Sequence, residues 1–194
     1  MPKTVPIEIR RARKEDVPFV LRMWSFILGD LVKGHPYFRP SWRATNGIGP
    51  HMRSLLDDDA TLILVAARGT RRVGFLNASV GHRPFGPKAD LIGLVENIYV
   101  DPGLRGHGVS KSLFNHALRW LEGKKVGMVE AVCEADNDRA IGFFGKFGFD
   151  LLTLTLVRPL RKAQDRRATD PQAGFARRPG SPRRARRGTA RAAR

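Results

Sequence analysis

VENIYVDPGLRGHGVSKSLFNHAL (95–118) carries an apolar strand-like run into a Gly-rich turn, and a run with helical spacing leaves it. Gly103, Gly106 and Gly108 let the backbone approach a ligand closely, and a helix N-terminus presents unpaired N–H groups with a favourable dipole. A phosphate is the usual occupant of such a turn. Two common phosphate loops fail here. The nucleotide-hydrolase pattern GxxxxGK[ST] matches at Gly103 and Gly108 but meets Val109 where it needs Lys. The dinucleotide pattern GxGxxG starts at Gly106 and Gly108 but meets Lys111 in place of its last glycine.

Working outward, IEIRRA (7–12) alternates like a strand, and Val17, Val20, Leu21, Trp24, Ile27, Leu28 and Leu31 form one helical face. KGHPYFRPSW (33–42) is a loop, and a shorter helix is predicted over 45–57. TLILVAA (61–67) and VGFLNASVGH (73–82) read as a hairpin, followed by a long apolar strand over 89–101. The helix over 107–122 carries Val109, Leu113, Ala117 and Leu121 on one stripe. A strand over 126–134 follows. Asn137 is placed as an N-cap, Ala140, Ile141, Phe143, Phe144 and Phe147 give the next helix its apolar face, and Gly148 ends it. FDLLTLTLVRPL predicts a closing strand. The order βααβββαβαβ predicts an α/β fold, a mixed sheet antiparallel early and parallel later, with helices on both faces.

A hydrophobic content of 42% in 194 residues suits one domain with excess chain, assigned as 1–159. The net charge of +17 is unevenly spread: residues 160–194 hold 12 Arg/Lys against Asp165 and Asp170. This Arg-rich tail has one aromatic and no apolar period, so it is expected to be disordered in isolation and to bind polyanions, nucleic acid among them, by counterion release. A purely solubilising tail is the alternative. A lone Cys133 excludes an internal disulfide. No apolar leader or membrane-length run appears, so a cytoplasmic location without membrane contact is expected.

Taken together, IEIRRARKEDVPFVLRMW, VENIYVDPGLRGHGVSKSLFNHAL and NDRAIGFFGKFGF resemble the GNAT superfamily of N-acetyltransferases over roughly 7–159. The family's [QR]-x-x-G-x-[GA] motif is represented by Arg105, Gly106, His107, Gly108, Val109 and Ser110, with Ser110 in place of Gly or Ala. The resemblance implies a mostly antiparallel sheet with a splayed parallel pair. It implies acetyl-CoA as cosubstrate, without a metal, its pyrophosphate cradled by backbone N–H groups of 105–110. Asn137 and Phe144 are implied to contact the pantetheine arm, and Ile98, Tyr99 and Val100 to line the thioester site. A backbone N–H freed by a bulge near Ile98–Val100 would stabilise the oxyanion.

Transfer to an amine needs the neutral amine, whose ordinary pKa is about 10.4 for a lysine type, so a base must take its proton. Glu96 interrupts the apolar run before the loop and is the expected base; a structural ion pair with an arginine is the alternative. Strand alternation would set Tyr99 on the face of Asn97, opposite Glu96. The family's tyrosine in NxxAxxxY is Phe144 here, so no general acid is assigned. By the resemblance, the region of His35, Tyr37 and Phe38 belongs to the acceptor pocket; its aromatics either wall or lid that pocket or staple the loop to the core. Their basic, aromatic loop suits an acidic or neutral amine, or a protein segment, better than a polycation. With room for one closing strand instead of the family's two, the acceptor side is either open or completed by a homodimer. The expected function is transfer of acetyl to a primary amine by direct attack. The alternative is a catalytically weak GNAT-fold binding protein, holding coenzyme A or nothing, that acts through its basic tail on RNA, ribosome or DNA.

Overall fold

The computed structural model describes residues 6–34, 42–82 and 91–158. One sheet runs β1 (Ile7–Arg11), β2 (Thr61–Arg68), β3 (Arg71–His82), β4 (Leu91–Val100) and β5 (Met128–Ala131), in that spatial order. The first four strands pair antiparallel, and β5 lies parallel to β4. The mixed sheet expected from the element order is therefore present. β2 is buried along nearly its whole length, as its unbroken apolar run TLILVAA requires of a strand covered on both faces.

Helices α1 (Val17–Gly34) and α2 (Trp42–Leu55) cover one face, where Val17, Val20 and Met23 pack on Ile63, Val65 and Phe75. Helices α3 (Val109–Gly123) and α4 (Asp138–Gly145) belong to the other face, where Leu113, Phe114 and Leu121 meet Leu62, Leu64 and Leu76. Each fully buried Leu or Phe contributes about 1.5–3 kcal/mol. The α3 stripe seen in the sequence is the buried face. It comes close to β4 at Gly93, where a Cβ would meet the Leu121 side chain at 2.7 Å. Phe114 sits among Phe143, Phe144 and Phe147 at ring distances of 5.5, 5.6 and 4.5 Å, which binds α4 to α3.

Two expectations fail at the C-terminal side. β5 has four residues, not the nine of 126–134, because a turn closed by Asn137 N–H to Glu134 O leads the chain away into α4. No closing strand forms over the described part of FDLLTLTLVRPL: residues 151–158 have no regular structure, and Leu151 and Leu156 are 83% and 80% exposed. The alternation is strand-like, but a local period makes no strand without a paired neighbour. The chain divides into the units Met1–Leu154 and Thr155–Arg194, and of the second only 155–158 are described. Among the described residues no helix is long and apolar enough to cross a membrane.

Asp16 is fully buried and ties three elements together. Its carboxylate accepts from Arg10 of β1 at 2.6 and 3.1 Å, from Arg72 of β3 at 2.8 Å and from the Arg13 N–H at 2.8 Å. Burial pushes its carboxyl upward, but the Arg10 hydrogen bond, with those from Arg13 and Arg72, holds it well below the usual carboxylate range. A depressed folded value contributes stability above the unfolded value of about 3.9, and that contribution is lost as the pH falls. Asp16→Ala is expected to cost about 3 kcal/mol at pH 7 in urea unfolding, because two arginines lose a buried partner. The gap from the unsubstituted protein should narrow below about pH 4.

Candidate active site

β4 is bonded to β3 along its length but to β5 only from Ile92 to Val95. Beyond Val95, its β5-facing edge has no strand partner among the described residues. The gap opens a cleft of about 650 Å³. One wall is β4 from Val95 to Val100; another is the segment after β5 with Val132, Cys133 and Glu134. Asn137, Phe143 and Phe144 come from α4, and Phe26, Ile27 and Asp30 from α1.

The register slips between β3 and β4 where Asn77 faces Asn97 but Ala78 faces Val95. Glu96 is the extra residue of a β-bulge. This corrects the strand-alternation expectation. Glu96 accepts from Asn77 Nδ2 at 2.8 Å and from Ser79 Oγ at 2.7 Å. Those two β3 residues share a face with Phe75, which pairs with Tyr99. The bulge thus turns Glu96 to the same face as Asn97 and Tyr99, towards α1. It lies at Glu96, two residues before the Ile98–Val100 stretch near which it was expected. Among the described residues, no arginine pairs with Glu96.

At the end of β4, Arg105 donates from Nε to Val100 O at 3.0 Å, and its guanidinium lies 5.9 Å from the centre of the Tyr99 ring. The motif arginine therefore anchors the loop to the strand. Burial, with Asp101, pushes the Tyr99 phenol above its ordinary pKa. Gly106 and Gly108 have φ of 82° and 80°, a region that disfavours side chains. Gly108 is the N-cap of α3, so the first turn directs N–H groups into the loop. His107 is exposed, with Nδ1 3.0 Å from Arg105 O; Val109 is buried in the core, and Ser110 lines the cleft. Asn137 Oδ1 accepts from Ala140 N–H at 3.0 Å, the expected cap, and also faces the cleft.

The structure therefore brings Glu96, Ile98, Tyr99, Val100, Arg105, Ser110, Asn137 and Phe144 to one cleft, with Gly106, His107 and Gly108 in the adjoining loop. His35, Tyr37 and Phe38 lie outside the described residues. Sequence reasoning missed Asn77 and Ser79. The available signal was Asn77 itself, a polar, strand-averse residue in the middle of VGFLNASV. It also missed Asp30 on α1, which is exposed and pairs with Lys33 at 3.3 Å. Among the described residues no group of His, Cys, Asp or Glu is arranged to hold a metal ion.

The profile of the Acetyltransferase (GNAT) family matches residues 30–149. The chain belongs to the GNAT acetyltransferase family. A peptidyl-lysine N-acetyltransferase of Salmonella typhimurium, YjaB, is 25% identical over 159 residues, covering 80% of this chain and 92% of that protein. Among solved structures, the tetramutant of the BH1408 protein from Bacillus halodurans superposes with a TM-score of 0.69 at 20% identity, covering 79% of this chain and 99% of that one. The structure of AAC(6')-Iy in complex with a bisubstrate analog, CoA-S-monomethyl-acetylneamine, gives a TM-score of 0.59 at 23% identity, covering 81% and 99%. Both structural likenesses are of fold.

Burial, with the neighbouring Glu134, pushes the Cys133 thiol above its ordinary pKa. Alkylation of Cys133 by iodoacetamide at pH 8 is expected to be several-fold slower than that of a free cysteine, since the thiolate reacts, at roughly 8.5 for an unperturbed thiol. A rate equal to that of free cysteine would mean an open, solvated wall at this position.

Proposed function

We propose that the protein transfers an acetyl group from acetyl-CoA to a primary amine by direct attack, with both substrates bound together. The observation that carries this reading is the bulged Glu96 at a cleft opened by the splaying of β4 from β5. The residues present fit the cosubstrate. Positive-φ glycines and the first turn of α3 suit a pyrophosphate, and the β4 edge beyond Val95 suits a pantetheine arm that pairs like a strand. Acetyl-CoA supplies an activated acetyl thioester.

The chain's own groups do the rest. Glu96 takes the proton of the attacking ammonium, directly or through water, so that a neutral amine can attack. Backbone N–H groups of β4 around Ile98–Val100 stabilise negative charge developing on the carbonyl oxygen. Asn137 and Phe144 hold the arm from the α4 side. Phe144 is buried and has no proton to donate, whereas Tyr99 keeps a protonated phenol on the cleft and is the group available to protonate the departing sulfur.

The acceptor enters along α1, past Asp30 and Glu96. Asp30 is itself paired with Lys33, but the cleft lining as a whole holds Asp30, Glu96, Glu134 and Asp136 against Arg105 and Arg139, an acidic excess that favours an amine carrying further positive charge, such as a lysine in a basic peptide or an aminocyclitol amine. This departs from the expectation drawn from the loop at 33–42, most of which lies outside the described residues. Tail 160–194, with its 12 Arg/Lys, is proposed as a separate polyanion-binding element.

Calorimetric titration of the full chain with acetyl-CoA tests the reading. Micromolar binding is expected, and Gly106→Pro should weaken it about tenfold or more, since proline fixes φ near −65° where the loop needs +82°. Glu96→Gln should bind acetyl-CoA normally yet lose about 10²–10⁴-fold in thiol release with a lysine peptide. A folded protein that fails to bind acetyl-CoA would overturn the assignment.

A further inference from the structure

We propose that Asn77 and Ser79 are positioning residues that clamp the Glu96 carboxylate in its working orientation. The inference rests on the assignment of Glu96 as base and adds two residues of another strand to it.

The geometry begins with the bulge. As the extra residue of β4, Glu96 has no cross-strand partner to fix it, and bulged positions are re-aimed relative to a regular strand. Its side chain is also exposed, so packing does not hold it. Two donors on β3 replace what packing would supply. Asn77 Nδ2 reaches Oε2 at 2.8 Å and Ser79 Oγ reaches Oε1 at 2.7 Å. A carboxylate held through one oxygen can still rotate about its last bond. Held through both oxygens, by donors two residues apart on one face of a strand, its plane is fixed. Each oxygen keeps a further lone pair, and those remain for the cleft.

The condition of Asn77 argues that its bond to Glu96 is not incidental to folding. Asn77 is 5% exposed, and its Oδ1 is buried without a hydrogen-bond partner among the described residues. A buried acceptor left unpaired costs stability, which an apolar side chain of similar size at this place would avoid. Asn77 thus weakens the sheet core through one end of its amide and holds Glu96 through the other. A residue present for stability alone would not show that pattern. Ser79 is half-buried on the same strand face, where its hydroxyl donates to the carboxylate.

The clamp separates from a structural role by what each predicts for substitution. Asn77→Val and Ser79→Ala should leave the melting temperature of the protein unchanged or raised. Side-chain NMR of Glu96, which needs no substrate, should show one rotamer in the unsubstituted protein and averaged rotamers in the double variant. In thiol release from acetyl-CoA with polylysine as probe acceptor, each single variant should lower kcat by about 5- to 30-fold, with the KM for acetyl-CoA little changed. Ser79→Thr, which keeps the hydroxyl, should restore most of the rate. In a Glu96→Gln background neither substitution should cost anything further, because both act through the carboxylate. An unchanged Glu96 rotamer in the double variant overturns the clamp. So do losses that multiply in the Glu96→Gln background, or a fall in melting temperature with kcat intact. If the unsubstituted protein binds no acetyl-CoA, the acetyltransferase assignment fails, while the rotamer measurement still decides the clamp.

Discussion

Strand β4 is held unequally on its two edges, and the site depends on that inequality. β3 pairs with it from Leu91 to Val100, whereas β5 stops after four residues at Ala131. Backbone polar groups need partners, so the open half of the β5-facing edge must be satisfied by side chain, solvent or ligand. Around it the molecule assembles a wall from α1, a second from the segment after β5, and a Gly-rich loop held by Arg105. Extending β5 through Glu134 in the same register would pair β4 as far as Ile98 and narrow the gap.

The bulge at Glu96 is the second consequence of the same strand. Regular alternation would turn this carboxylate towards the apolar layer under α3, where an ion is costly to bury. One extra residue moves it to the opposite face, where Asn77 and Ser79 receive it and α1 leaves it open. The chain carries a large positive charge, yet this face of the cleft is lined by Asp30 and Glu96. Asp30 is paired with Lys33, so on this face Glu96 is the carboxylate without a cationic partner among the described residues.

Much of this was legible in the residues. The α3 stripe of Val109, Leu113, Ala117 and Leu121 is buried as its spacing requires, Asn137 caps α4, and Gly106 and Gly108 take positive φ. These are local signals, set by period and backbone sterics. What sequence reasoning missed is non-local. A bulge is a property of two strands in register, so the face of Glu96 could not follow from alternation within 95–100. The partners Asn77 and Ser79 lie 19 and 17 residues away across a strand pair. The leucine–threonine alternation of 151–157 is a local strand signal that forms no regular structure.

The most direct test of the central claim is a crystal structure of the chain grown with acetyl-CoA. The account predicts the pyrophosphate against the backbone of 106–110 and the pantetheine arm along β4 beyond Val95, with the thioester carbonyl facing a β4 N–H. It also predicts the acetyl group within reach of an amine that contacts Glu96. Density for the cosubstrate elsewhere on the protein, with the gap between β4 and β5 closed or filled by the chain's own residues, would contradict it.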